Sequence, residues 1–126
     1  MPSILIVMAG GAIGAALRWQ VGQIALAQLG PAFPWGTWIV NLSGGFLAGL
    51  VAGLLMRQGG AAEPLRLFLL VGVLGGFTTF SAFSMEAAFM LQRGQHFAAA
   101  FYAISSFAGS VILLFAGLAL ARALAA

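Results

Sequence analysis

Few side chains in this sequence can do chemistry, and most of them lie inside apolar runs. Asn41, Ser43, Thr78, Thr79, Tyr102, Ser106 and Ser110 supply amide and hydroxyl groups, and Arg18 and Glu86 are charges embedded in apolar surroundings. In hydrocarbon every polar group must be satisfied within the protein or face a water-lined cavity. These residues therefore mark either helix contacts or a path for something polar. Asn41, Gly45, Gly49 and Gly53 recur every four positions and share one helix face. A small-residue stripe of this kind lets a second backbone approach closely, and Asn41 at its end either bonds a neighbouring helix or faces a pore. Tyr102, Ser106 and Ser110 are also spaced by four, so their hydroxyls form one stripe, while Ser105 points elsewhere. That stripe is a polar track or helix-packing glue. Phe80 and Phe83 share a face. Aromatic rings at this spacing ordinarily pack, but a ring edge is electropositive and can meet an anion.

The segment Gly72 to Ser84 holds Gly75-Gly76-Phe77-Thr78-Thr79-Phe80-Ser81-Ala82-Phe83-Ser84. Glycine and β-branched residues both weaken a helix interior, which predicts a break near the middle of the third span. A break frees backbone carbonyls that must be buried, patched by hydroxyls or used to coordinate a cation.

No enzyme is legible. The sequence has no carboxylate pair, no cluster of metal-ligating side chains and no Ser/His/Asp set at a common depth. Gly10-Gly11-x-x-Gly14 lies inside an apolar helix, so it fails the strand-to-helix context of a nucleotide loop. There is no cysteine, and His96 reads as a solvated loop residue. Five arginines against two glutamates give a formal net charge of +3, too scattered for a nucleic-acid surface.

The elements that must position these residues follow from composition. The chain has 126 residues, 63% of them hydrophobic and 6% charged. A soluble fold this small cannot bury so much apolar surface. Four apolar stretches of spanning length predict an all-α membrane protein, a single transmembrane domain over 1–126. Its helices fall at about 3–29, 35–56, 65–91 and 97–121. The breaks are Gly30-Pro31-Ala32-Phe33-Pro34, Arg57 to Pro64, and Gln92 to His96. Met1-Pro2-Ser3 lacks a basic region, so the first run reads as a retained helix rather than a signal peptide. Four spans put Arg57, Arg66 and Arg122 on one side and Arg93 on the other, joined by Arg18 if it snorkels there. The bias is weak, so the positive-inside rule permits insertion in both orientations.

The span-three motif 75–84 resembles the signature of the Fluc (CrcB-type) fluoride channels. Asn41-Leu42-Ser43-Gly44-Gly45 and Gly10-Gly11-x-x-Gly14-Ala15-x-x-Arg18 resemble the same family, in the same order. The resemblance implies a passive, fluoride-selective channel in the cell membrane that exports the ion. It implies an antiparallel, dual-topology homodimer with two pores and a third helix broken at mid-membrane. A structural sodium ion at the dimer centre would rest on the carbonyls of Gly75 and Thr78 from both subunits. Asn41, Thr79, Phe80, Phe83, Tyr102, Ser106 and Ser110 would line the fluoride route, with Arg18 and Glu86 as structural or vestibule charges. Ala82 departs from the hydroxyl residue common there, and Leu114 ends the polar stripe where some members continue it.

Two other readings compete. A small proton-coupled exporter needs a mid-membrane carboxylate on the first span, where this chain has Arg18 and no acid. A non-transporting assembly subunit would use the glycines and hydroxyls for packing alone.

Overall fold

The fold is described from a computed structural model covering residues 2–125, with the side chain of Ala125 left aside. Met1 and Ala126, the two ends of the sequence-predicted domain, lie outside the described residues. Among the described residues the chain is entirely helical, and four helices are long and apolar enough to cross a membrane.

Helix α1 is Ser3–Leu29 and α2 is Trp35–Leu55. The third span begins with a 3-10 turn, Gly59–Ala62, and continues through Glu63–Arg66, a π-helical stretch Leu67–Leu74, and a last turn Gly75–Phe77. Residues 63–77 are called α3. The chain then leaves helical geometry and re-enters it as α4, Ser81–Gln92. Helix α5 is His96–Ala125, longer at its C-terminal end than the sequence-predicted 97–121, so Arg122 lies within it.

The connections follow from glycine and proline. Gly30 ends α1 at φ 80°, a conformation that suits glycine, and its N–H bonds the Leu26 carbonyl at 3.0 Å. Gly94, at φ 78°, makes the turn between α4 and α5.

Small residues set the packing. A Cβ on Gly14 would overlap the Val73 carbonyl, and one on Gly10 would lie 2.9 Å from the Gly72 Cα. Helix α1 therefore lies backbone to backbone on the π-helical part of α3. The stripe of α2 does the same on α5: a Cβ on Gly45 would lie 2.7 Å from the Ser110 carbonyl, and one on Gly49 would overlap the Leu114 carbonyl. Close approach of this kind is how membrane helices gain contact when lipid offers no hydrophobic drive.

Large apolar side chains point outward on every helix, among them Ile4, Trp19, Leu54, Leu65, Phe89, Phe107 and Phe115. The small interior cluster is Met90, Ala99 and Tyr102, with Phe33, Trp38 and Phe83 packed on it. So small an interior is stable only where lipid or another protein surface covers the rest.

Candidate functional site

The break sits between Phe77 and Ser81, near the centre of the third span. Gly75 and Gly76 stay helical; Thr78 turns the backbone to φ −83°, ψ 159°. The sequence predicts the break from the glycines and threonines together, and the structure puts the turn on the first threonine. The Thr78 N–H and hydroxyl both bond the Leu74 carbonyl, at 3.0 and 2.9 Å, which closes the end of α3. Arg18 reaches from α1 and donates from Nε to the Gly76 carbonyl at 3.1 Å. The charge has a structural partner at the broken helix end, where orphan carbonyls carry partial negative charge.

Asn41 is the second device at the break. Its Nδ2 donates to the Thr79 carbonyl at 3.1 Å, and its Oδ1 accepts the Thr79 N–H at 3.0 Å. This two-point contact fixes the amide orientation. A flipped amide would set oxygen against oxygen and N–H against N–H. Asn41 keeps its second N–H as a free donor and one lone pair on Oδ1. The Thr79 hydroxyl accepts the Ala82 N–H at 3.1 Å and so caps α4.

The carbonyls of Gly75, Phe77 and Thr78 remain beside these contacts, and of these residues Gly75 and Thr78 line the groove. In a continuous helix the Thr79 N–H would bond the Gly75 carbonyl and the Ala82 N–H the Thr78 carbonyl. Here those N–H groups go to Asn41 and to the Thr79 hydroxyl. The Thr78 carbonyl accepts no hydrogen bond among the described residues. Gly75 is exposed, and a Cβ on it would meet only the Leu70 carbonyl, at 3.6 Å. The pair fits a hard cation in donor chemistry. One chain offers two such oxygens on the groove.

A groove of about 570 Å³ runs over this region, lined in part by Asn41, Phe80, Phe83, Ser106, Ser110 and Leu114. Gly75, Thr78 and Thr79 line it too. The Phe80 ring is 79% exposed and lies 6.0 Å from Phe83, centroid to centroid. Ser106 is buried, and its Oγ has no hydrogen-bond partner. An unpaired buried hydroxyl is costly, and this one belongs to the groove lining. Ser110 bonds back to the Phe107 carbonyl at 3.1 Å.

Tyr102 does not share this groove. It is fully buried, its ring 5.0 Å from Phe83, and its hydroxyl donates to Glu86 Oε1 at 3.3 Å. Thr37 donates to the same oxygen at 2.6 Å. The hydroxyl stripe is thus divided: Ser106 and Ser110 lie in the groove, and Tyr102 joins Glu86 and Thr37 behind Phe83. Glu86 and Thr37 in turn line a second, smaller cavity, together with residues 30–36 and Arg93. Thr37 and Arg93 were not singled out by sequence reasoning. Nothing local distinguishes Thr37, and Arg93 reads as an ordinary loop charge. Ser105, off the stripe as expected, accepts from Trp38 Nε1 at 2.9 Å.

The site consists of neutral donors and ring edges in a four-helix membrane protein, with a broken third helix and with neither acid nor base in the main groove. Such an arrangement belongs to a multi-pass cell-membrane protein. The chain itself belongs to the CrcB-like family: the model described as CrcB-like protein, Camphor Resistance (CrcB), matches residues 5–118. A curated relative from Rhizobium meliloti (strain 1021), named Fluoride-specific ion channel FluC, is 50% identical over 124 residues. That match covers 98% of this chain and 99% of the relative. A relative of the same name from Phenylobacterium zucineum (strain HLK1) is 53% identical over 123 residues, 97% of each chain. The expected family membership is confirmed.

Proposed function

We propose that this protein is a fluoride-selective channel that lets the ion leave the cell passively, working as an antiparallel homodimer with two pores. The observation that carries the reading is the orientation-locked Asn41 beside the unpartnered Ser106 hydroxyl, in a groove edged by Phe80 and Phe83. Fluoride is small and strongly hydrated. A pore must replace its water with donors and still release it. A neutral amide N–H, hydroxyls and ring edges attract the anion without the deep well that a buried guanidinium would make. Asn41 cannot turn its oxygen to the groove without losing both bonds to Thr79, so it presents positive character there.

On this reading Phe83 separates two compartments. Ser106, Ser110, Asn41 and Phe80 serve the groove, while Thr37, Tyr102 and Glu86 lie towards the Arg93 mouth. The hydroxyl protons of Thr37 and Tyr102 face Glu86, so that oxygen competes with an arriving anion for the same donors.

The dimer and the sodium ion rest on the groove-lining carbonyl pair. A two-fold copy would bring the Gly75 and Thr78 oxygens from two to four, and would cover the exposed groove wall. The cation would then bridge two broken helices and lend positive charge near the anion path. The weak arginine bias supports insertion in both orientations.

The test is fluoride efflux from liposomes containing only the purified protein, with chloride as control. Fast fluoride flux and no chloride flux is the expected outcome. No flux of either ion, from protein shown to be folded and dimeric, would overturn the proposal and favour the assembly-subunit reading.

A further inference from the structure

We infer that Asn41 and the Thr79 hydroxyl are positioning residues for the cation site: they free the Gly75 and Thr78 carbonyls by taking the two N–H groups that would otherwise close the helix over them. The inference rests on the sodium reading above and adds to it a cause for the free oxygens.

The bond pattern across the break carries it. A glycine-rich kink alone would leave carbonyls loosely patched by whatever donor lies nearby. Here the two N–H groups that would reach the groove-facing carbonyls each have one named receiver. The Thr79 N–H, the natural partner of Gly75, goes 3.0 Å to Asn41 Oδ1. The Ala82 N–H, the natural partner of Thr78, goes 3.1 Å to Thr79 Oγ1. The neighbouring Gly76 carbonyl is handled the opposite way: Arg18 Nε satisfies it at 3.1 Å. The Gly76 carbonyl therefore differs from those of Gly75, Phe77 and Thr78, which accept no such bond. Gly76 faces α1 and is capped by a charge. Gly75 and Thr78 face the groove and are kept without a donor.

Asn41 then serves both ions. Its oxygen and one N–H hold the backbone that shapes the cation site, and its second N–H is the donor it has for the groove. Loss of its amide should weaken cation binding as well as anion passage. A residue that only lined the anion path would not affect the cation.

The test is the melting temperature of the purified protein as sodium replaces N-methylglucamine at constant ionic strength. A ligand that binds only the folded state raises it with concentration. Wild type should show a saturable rise. Asn41→Leu and Thr79→Val should each raise the half-saturating sodium at least tenfold. Thr79→Ser, which keeps the hydroxyl, should stay within about twofold of wild type, since a factor of ten is about 1.4 kcal/mol and a retained hydrogen bond leaves far less. Ser110→Ala, in the same groove but away from the break, should respond to sodium as wild type does. If Asn41→Leu does not fold, the Thr79→Val and Thr79→Ser pair decides. Unchanged half-saturation in the Val or Leu variants would overturn the inference while the sodium reading stands. A wild type with no sodium response would overturn both.

Discussion

Asn41 meets two backbone groups of Thr79 with one amide, and this pairing decides which atom it can offer to the groove. Asn41→Asp replaces the donor with a second oxygen, which would face the Thr79 carbonyl and the anion path together. Fluoride flux in liposomes should fall at least tenfold, about 1.4 kcal/mol in barrier height; flux equal to wild type would show that the amide is not a donor to the ion. On the proposed reading Phe80 and Phe83 act through their ring edges rather than their bulk. Phe80→Ile and Phe83→Ile keep apolar volume and remove that electrostatic character. Each should lower flux at least tenfold while size-exclusion chromatography still shows a dimer, again about 1.4 kcal/mol or more. Unchanged flux would reduce the two rings to packing.

At the scale of the element, the glycine stripe of α2 and the π-helical stretch of α3 hold the groove in shape. Gly49 has no room for a side chain beside the Leu114 carbonyl, so Gly49→Val must push α5 away. Overpacking of this kind costs about 1–3 kcal/mol, or more where backbone is the obstacle. The expected result is a clear drop in melting temperature and less dimer. Gly60→Ala is the control: nothing lies within 4 Å of that position, and a substitution away from contacts should stay within about 0.5 kcal/mol of wild type. Equal stability of the two variants would mean that α2 and α5 do not pack as described. The π-helical stretch has its own role. Its wider turns lie where Gly10 and Gly14 meet α3, just before the break, a placement common at functional sites.

At the scale of the whole molecule, the groove is open and the Phe80 ring projects from it. The proposed antiparallel dimer would cover both and would bring the Gly75 and Thr78 carbonyls of two chains together. The absence of cysteine makes the orientation measurable, because single-cysteine variants carry one label. Gln58→Cys and Gln95→Cys, both at exposed positions in opposite loops, should each react with an impermeant maleimide in about half of the molecules in intact cells, as weak charge bias predicts. Complete labelling of one and none of the other would establish a single orientation and exclude the antiparallel arrangement.

The sequence by itself determined the solvent, the four spans and the neutral character of the polar residues. Hydropathy over about twenty residues and the scarcity of charge leave little else possible in a bilayer. It also marked the place of the break, because glycine and threonine weaken a helix through local backbone physics. Only the tertiary structure decided how each polar residue is used. Helical spacing put Tyr102 on one stripe with Ser106 and Ser110, yet a ring long enough to pass Phe83 carries its hydroxyl to Glu86 on another helix. Asn41 stood open between a helix contact and a pore; it makes the contact and still lines the groove, because α2 and α3 meet at the break. Thr37 had no local signal, since its role comes from a carboxylate 49 residues away. Spacing along one helix fixes which residues share a face, but the donor or acceptor that each one meets belongs to another helix, and packing chooses it.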